Sequence, residues 1–305
     1  MLSYDLVIIG GGPAGLTAAL YAGRSRLNTL LIEKMSVGGR ILMSETIENY
    51  PGFPGGVSTV ELMGRMENQA KELGVSIISE EVLSLDCANK IINTANNNYQ
   101  AQSVIIASGA RPRRLNIPGE GQLTGRGVSY CATCDAPFFK DKKVVIVGGG
   151  NAVAEEAMYL SRFASSISVI HRRSDLRASP ILQERMQQNN KISFILNSVV
   201  TQVKGVNKVE AVIIKDLLSG KESDFACAGV FIYIGYEPET LFLKNKLKMD
   251  ESGFILTDEN MATTSEGIFA CGDCRKKALY QVINACGDGA VAADSAYKFI
   301  ANKEK

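Results

Sequence analysis

Residues 4–20, YDLVIIGGGPAGLTAAL, decide the fold. A short apolar run rich in β-branched residues ends in Gly10-Gly11-Gly12, and an alanine-rich stretch with helical spacing follows. Runs of this kind read as buried parallel strands, so the stretch predicts a strand, a tight turn and a helix. Gly10, Gly12 and Gly15 form G-x-G-x-x-G at that turn. The first glycine permits the turn, the second lets backbone approach a pyrophosphate, and the third lets helix and strand pack closely. Phosphates are expected at the helix N-terminus, where unpaired N–H groups and the helix dipole favour anions. The next apolar run, NTLLIE, ends in Glu33, where a carboxylate can accept ribose hydroxyls.

No charge occurs from Leu6 to Gly23, about the length of a membrane span. The glycines and Pro13 would break a spanning helix, and Asp5 stands where a signal peptide would be basic, so no membrane role is expected. The chain has 305 residues, enough for two domains. Hydrophobic residues at 46% and charged residues at 21% exclude a disordered or fibrous protein. With 33 basic and 32 acidic residues, bulk attraction to nucleic acid is not expected. His171 is the one histidine, which removes multi-histidine metal sites; seven cysteines point to mostly free thiols and a cytoplasmic protein.

A repeat extends the first reading. KKVVIVGGGNAVAEEAM (142–158) echoes 4–20 in outline, so two doubly wound α/β, Rossmann-like modules are expected. VIIASGA (104–110) and GVFIYIGY (229–236) are later strands of the two modules, and GIFACGDC (267–274) is a third such run after the second module. The second module is therefore expected to be inserted into the first, as 1–115, 116–239 and 240–305, with proline-bearing crossings. In the second unit Gly148 and Gly150 keep the motif, but Val153 takes the third small position, where its bulk should push the helix off the strand. Its next strand ends in His171-Arg172-Arg173, with Arg177 read as one helical turn further on. Guanidinium groups where a plain NAD site has an acid suit a 2′-phosphate, so NADPH is expected there, with His171 bordering the adenosine end.

SYCATCDAPFF places Cys131 and Cys134 two residues apart, followed by Asp135. That spacing puts two sulfurs on one turn, close enough to form and break a disulfide, and the carboxylate can move the proton that exchange requires.

These motifs together resemble the low-molecular-weight bacterial thioredoxin reductases over nearly the whole chain. The match runs through GGGPAG, ENYPGFPGG, ASGARPR, GRGVSYCATCDAPFF, VGGGN, HRRSDLRA, GYEPET, GD and Q-V-x-x-A-x-G-D-G-x-x-A. The resemblance implies a homodimeric flavoenzyme in which NADPH reduces FAD, FAD reduces the Cys131–Cys134 disulfide, and the dithiol reduces thioredoxin. It implies that Cys134 is nearer the flavin, that Cys131 attacks the partner and that Asp135 is the acid/base. FAD is implied at Gly10, Gly12, Pro13, Ala14, Gly15, Glu33, Gly39, Arg40, Asn49, Ala107, Gly109, Gly272, Asp273, Gln281 and Val282. NADPH is implied at Gly148, Gly150, Asn151, His171, Arg172, Arg173 and Arg177. The domain that carries the cysteines is implied to swivel between the flavin and the partner protein.

Arg40 stands where the family usually has glutamine, Tyr280 where relatives carry arginine, and Val153 where they carry a small residue. A relative that has lost pyridine nucleotides and draws electrons from ferredoxin is the alternative reading, against which the three arginines argue. Cys271 and Cys274 form a second C-x-x-C around Gly272-Asp273 and are expected to be small apolar fillers rather than a redox pair. A structural protein holding zinc on Cys131, Cys134, Cys271 and Cys274 is the reading from another class, disfavoured because both pairs sit in nucleotide-fold segments.

Overall fold

The computed structural model describes residues 2–43, 46–47, 49–243 and 246–303; the side chains of Met43, Thr133 and Cys134 lie outside the described residues. The chain forms two units, Met1–Arg111 with Glu237–Lys305, and Pro112–Tyr236. The second is thus inserted into the first. The crossings fall a few residues before the expected breaks after 115 and 239.

The first unit begins with β1 (Leu2–Ile9), α1 (Pro13–Arg24) and β2 (Thr29–Glu33), the arrangement expected of residues 4–33. Then come α2 (Thr59–Glu72), β3 (Ser76–Ser79), β4 (Val82–Asp86), β5 (Ile91–Thr94) and β6 (Asn98–Ile106). The sheet order is β3-β2-β1-β6-β5-β4, parallel from β3 to β6 and antiparallel from β6 to β4. Alternation along β1 sends Leu6 and Ile8 to one face, under α1 and α2, and Val7 and Ile9 to the other.

The inserted unit holds α3 (Ala132–Asp135), β7 (Lys143–Gly148), α4 (Asn151–Leu160), β8 (Ser166–Ile170), α5 (Pro180–Gln187) and β9 (Ile192–Ile195). It continues with β10 (Ser198–Lys204), β11 (Ala211–Asp216), β12 (Glu222–Ala226) and β13 (Gly229–Tyr233). β13-β7-β8-β9 are parallel, while β10-β11-β12 form an antiparallel sheet. One face of the parallel sheet buries Val144, Ile146, Ile167 and Val169 beneath α4 and α5; the other buries Val145, Val147 and Ile170 with β10 and β11. Back in the first unit, β14 (Ile268–Ala270) pairs in parallel with β6, and α6 (Val282–Lys303) covers α1. Among the described residues, no helix is long and apolar enough to cross a membrane.

Candidate active site

In the first unit the glycine turn is forced by backbone contacts. Gly10 adopts φ +109°, and a Cβ there would meet the carbonyl of Ala107 at the end of β6. A Cβ on Gly15 would meet the carbonyl of Gly10, so only glycine lets α1 approach the strand. Gly12, by contrast, faces open space, with Gly38 O 3.9 Å from the position its Cβ would take. Gly12 is the N-cap of α1, supplies no capping side chain, and is followed by Pro13; the first N–H groups, those of Ala14 and Gly15, are left for a ligand. Glu33 lies beside this cradle: its carboxylate accepts from Gly11 N–H at 2.7 Å and Met35 N–H at 3.1 Å. Gly39 seats its backbone on Gly12, and Asn49 donates to Gln281 Oε1 at 2.9 Å. These features fit a dinucleotide diphosphate.

The turn after β14 carries a charge network whose extent spacing did not reveal. Arg40 pairs with Asp273 at 2.8 Å, Lys277 reaches Asp273 at 3.1 Å and Asp288 at 3.3 Å, and Arg275 pairs with Asp288 at 3.1 Å. Asp288 also accepts the N–H of Gly272 at 3.2 Å. Lys277 and Asp288 are buried, with side chains 4% and 5% exposed. Arg40, expected to depart from the family pattern, therefore closes an ion pair onto the Gly272-Asp273 turn. Asp288 stands in the closing G-D-G, yet its role depends on α6 folding back over Gly272, which no local pattern announces. Tyr280 packs edge-on against Phe254, with Lys277 over its ring.

Cys271 and Cys274 are fully buried and free. They pack into different clusters, Cys271 with α1 and α6, and Cys274 with the opposite face of the sheet. The Cys274 thiol donates to Cys271 O at 3.2 Å, and burial pushes both thiols up, Cys274 to about 11. They are fillers with little thiolate character.

In the inserted unit Gly148 (φ +140°) is locked by Tyr233 O and by a Val153 methyl 2.7 Å from where a Cβ would stand. Val153 does not push α4 away, contrary to the expectation from its bulk. It is 1% exposed, and its side chain occupies the space that the missing Cβ of Gly148 leaves. Gly150 opens α4 as an uncapped N-cap with nothing within 4 Å of its Cβ position. Arg177 is not a helical turn beyond Arg173: residues 171–179 form a loop. The loop instead brings the N–H of Arg177 to Gly149 O at 2.6 Å and that of Ala178 to the same oxygen at 3.0 Å. Asn151 accepts the N–H of Ser179 at 2.8 Å. Arg172, Arg173 and Arg177 are exposed and make no ion pair among the described residues, an arrangement that suits a phosphate. His171 is buried beneath the turn, its Nε2 2.8 Å from where a Cβ of Gly149 would sit. Burial, and then the positive charge of Arg177, lower its basicity, so the imidazole is a neutral support.

Cys131 is buried and disulfide-bonded. Its N–H donates to Ser129 Oγ at 3.0 Å, and Asp135 N–H donates to Cys131 O at 3.2 Å, closing the α3 turn. Ala132 N–H donates to the Tyr233 hydroxyl at 2.7 Å. The Cys134 side chain, read as the other redox sulfur, lies outside the described residues.

The first unit thus gathers Gly10, Gly12, Pro13, Ala14, Gly15, Glu33 and Gly39 at one cradle, and joins Arg40 to Asp273 and Asn49 to Gln281. The inserted unit gathers Gly148, Gly150, Asn151, His171 and Arg177 at a second. The model of the pyridine nucleotide-disulphide oxidoreductases matches residues 4–289. The chain is 44% identical over 305 residues to a thioredoxin reductase of Peptoclostridium litorale, covering 97% of each chain. A solved thioredoxin reductase of Lactococcus lactis (FR conformation) superposes with a TM-score of 0.95 at 43% identity, over 98% of this chain and 99% of that one. A ferredoxin-flavin thioredoxin reductase of Clostridium acetobutylicum, matched over 99% of both chains, is more distant, at 30% identity and a TM-score of 0.54. Two glycine cradles on a repeated α/β plan, one flanked by a disulfide and the other by a buried charge network, together with a family match over nearly the entire length, place this chain in the pyridine nucleotide-disulphide oxidoreductase family.

Proposed function

We propose that the protein is an NADPH-dependent, FAD-containing thioredoxin-disulfide reductase. The observation that carries this reading is the disulfide at buried Cys131, in the same unit as three exposed arginines that make no ion pair among the described residues, around a nucleotide-type glycine turn. FAD is held by the Gly12–Gly15 cradle, with Glu33 at the ribose, Ala107 and Gly109 behind the turn, Gly272-Asp273 at the ribityl side, and Asn49, Gln281 and Val282 toward the ring. When bound, it supplies two-electron relay chemistry that no side chain can perform. NADPH sits on the uncapped start of α4, with Arg172, Arg173 and Arg177 on its 2′-phosphate.

The second sulfur of the disulfide is Cys134. Two electrons and two protons convert the pair to thiols. The Cys131 thiolate then attacks the disulfide of thioredoxin, and the Cys134 thiol displaces it from the mixed disulfide, leaving Cys131–Cys134 oxidised and the partner as a dithiol. Asp135, whose backbone is tied to Cys131 O, moves the proton at the sulfurs. The five free thiols suit a reducing, cytoplasmic setting, and the family likeness supports a homodimer.

Anaerobic NADPH tests the reading: it should bleach the flavin and release two thiols, trapped at Cys131 and Cys134. Cys134→Ser should keep flavin reduction by NADPH and lose protein disulfide reduction. Flavin reduction by reduced ferredoxin but not by NADPH, or disulfide reductase activity retained in Cys134→Ser, would overturn it.

A further inference from the structure

The loop between β8 and α5 carries Arg172, Arg173 and Arg177 and forms neither helix nor strand, so its backbone polar groups need partners elsewhere. Burial alternates along its second half: Leu176 packs against the core beneath α4 and α5, Arg177 is exposed, and Ala178 is buried. The N–H groups of Arg177 and Ala178 both go to Gly149 O in the nucleotide turn, and that of Ser179 goes to Asn151 Oδ1 at 2.8 Å. The carbonyls of the residues on either side of Arg177 share one side chain on α5. Gln183 Nε2 donates to Ala178 O at 2.7 Å and, more loosely, to Leu176 O at 3.4 Å. Both of those neighbours are acceptors, so only the NH2 end of the amide can face them. The peptide units 176–177 and 178–179 are thus tied at both ends, by N–H to the start of α4 and by C=O to α5, and Arg177 stands between them.

We propose that Gln183 is a positioning residue for Arg177 and, through it, sets the preference for a nucleotide that carries a 2′-phosphate. The inference rests on the NADPH reading above. A guanidinium grips a phosphate through paired, directional N–H bonds, so its carrier must be held in place before binding or ordered by it. An exposed arginine on a loose loop would lose backbone as well as side-chain freedom when it closes on the phosphate, and that loss subtracts from affinity. Gly149 O and Gln183 remove the backbone part in advance. Gln183 makes its bonds to the loop rather than to the ligand, so a nucleotide without the 2′-phosphate, which gives Arg177 nothing to grip, gains nothing from it. Arg173 is held separately, its carbonyl accepting the N–H of Asn197 at 3.1 Å, so Gln183 acts on one cation of the three.

The test titrates NADP⁺ and NAD⁺, which cannot reduce a flavin, into the full-length oxidised protein by isothermal calorimetry. Gln183→Met keeps the length of the side chain and removes its donors. It should weaken NADP⁺ about fivefold and change NAD⁺ by under about twofold. Arg177→Ala should weaken NADP⁺ by at least about tenfold. Adding Gln183→Met to Arg177→Ala should then cost under about twofold more, because the loop no longer carries the group it was placing. NADP⁺ binding unmoved by Gln183→Met or by Arg177→Ala, equal losses of NADP⁺ and NAD⁺ in Gln183→Met, or the full Gln183→Met loss persisting without Arg177, overturns the proposal and leaves the NADPH reading intact. NADP⁺ binding that survives Arg172, Arg173 and Arg177 all changed to alanine overturns that reading, and this inference with it.

Discussion

The buried charge network offers a stringent prediction, because distance and burial rank its bonds oppositely. Lys298 and Asp294 on α6 lie 2.7 Å apart, shorter than either contact of Asp288 with a cation, yet both side chains are more than half exposed. An exposed pair of this kind contributes about 0–1 kcal/mol, since water screens it and side-chain entropy opposes it. Asp288 is 5% exposed and accepts from Arg275, Lys277 and the backbone of Gly272. Asp288→Asn keeps the shape but takes the carboxylate from Arg275 and leaves Lys277 with Asp273, which Arg40 also engages. Breaking a buried pair while its partner stays buried costs about 3–5 kcal/mol. For a unit of this size that corresponds to a fall in Tm of about 8–13 °C. Differential scanning calorimetry is the assay, because two units can melt separately and only the transition of the first should move. Asp294→Asn is the control and should shift Tm by under about 3 °C. Equal shifts in the two variants, or no shift in Asp288→Asn, would show that burial does not decide the strength of these bonds.

Other consequences are checked more simply. Gly15→Ala would drive a methyl into Gly10 O, so FAD should be lost or bound at least tenfold more weakly, read by equilibrium dialysis; full retention would contradict the cradle. Arg172 and Arg173 changed together to Ala should weaken NADPH by about 2–4 kcal/mol and leave NADH nearly unaffected, since only the former carries the 2′-phosphate; equal losses by isothermal titration would remove that assignment. Burial, and then the neighbouring Glu155, raise the pKa of Glu156 in the folded chain, so its contribution to stability is full below the ordinary carboxyl range and is lost as pH rises through about 7. Glu156→Gln should therefore gain about 2 kcal/mol on the parent in urea unfolding at pH 8 relative to pH 5; a pH-independent difference would contradict it.

Much of this site follows from local order. A β-branched run, three glycines and an alanine-rich segment specify strand, turn and helix wherever they occur, because φ space and close packing at Gly10 and Gly15 admit no other residue. For that reason both glycine turns and the turn after Cys131 were legible in the sequence as local structure. Tertiary structure decided what depends on residues far apart in the chain. Val153 is tolerated because the space it fills is the one left by Gly148, a fit that the motif alone cannot express. Arg177 reaches its site through a loop anchored on Gly149 rather than by helical spacing. The links from Arg40 to Asp273 and from Gly272 to Asp288 exist only once β14 and α6 return to the first unit. Cys271 and Cys274 share the spacing of Cys131 and Cys134, but their backbone sends them to opposite faces of a sheet. Spacing along the chain sets which groups can share a turn; burial and the partners that folding brings decide which of them carry charge, and those two are properties of the assembled fold.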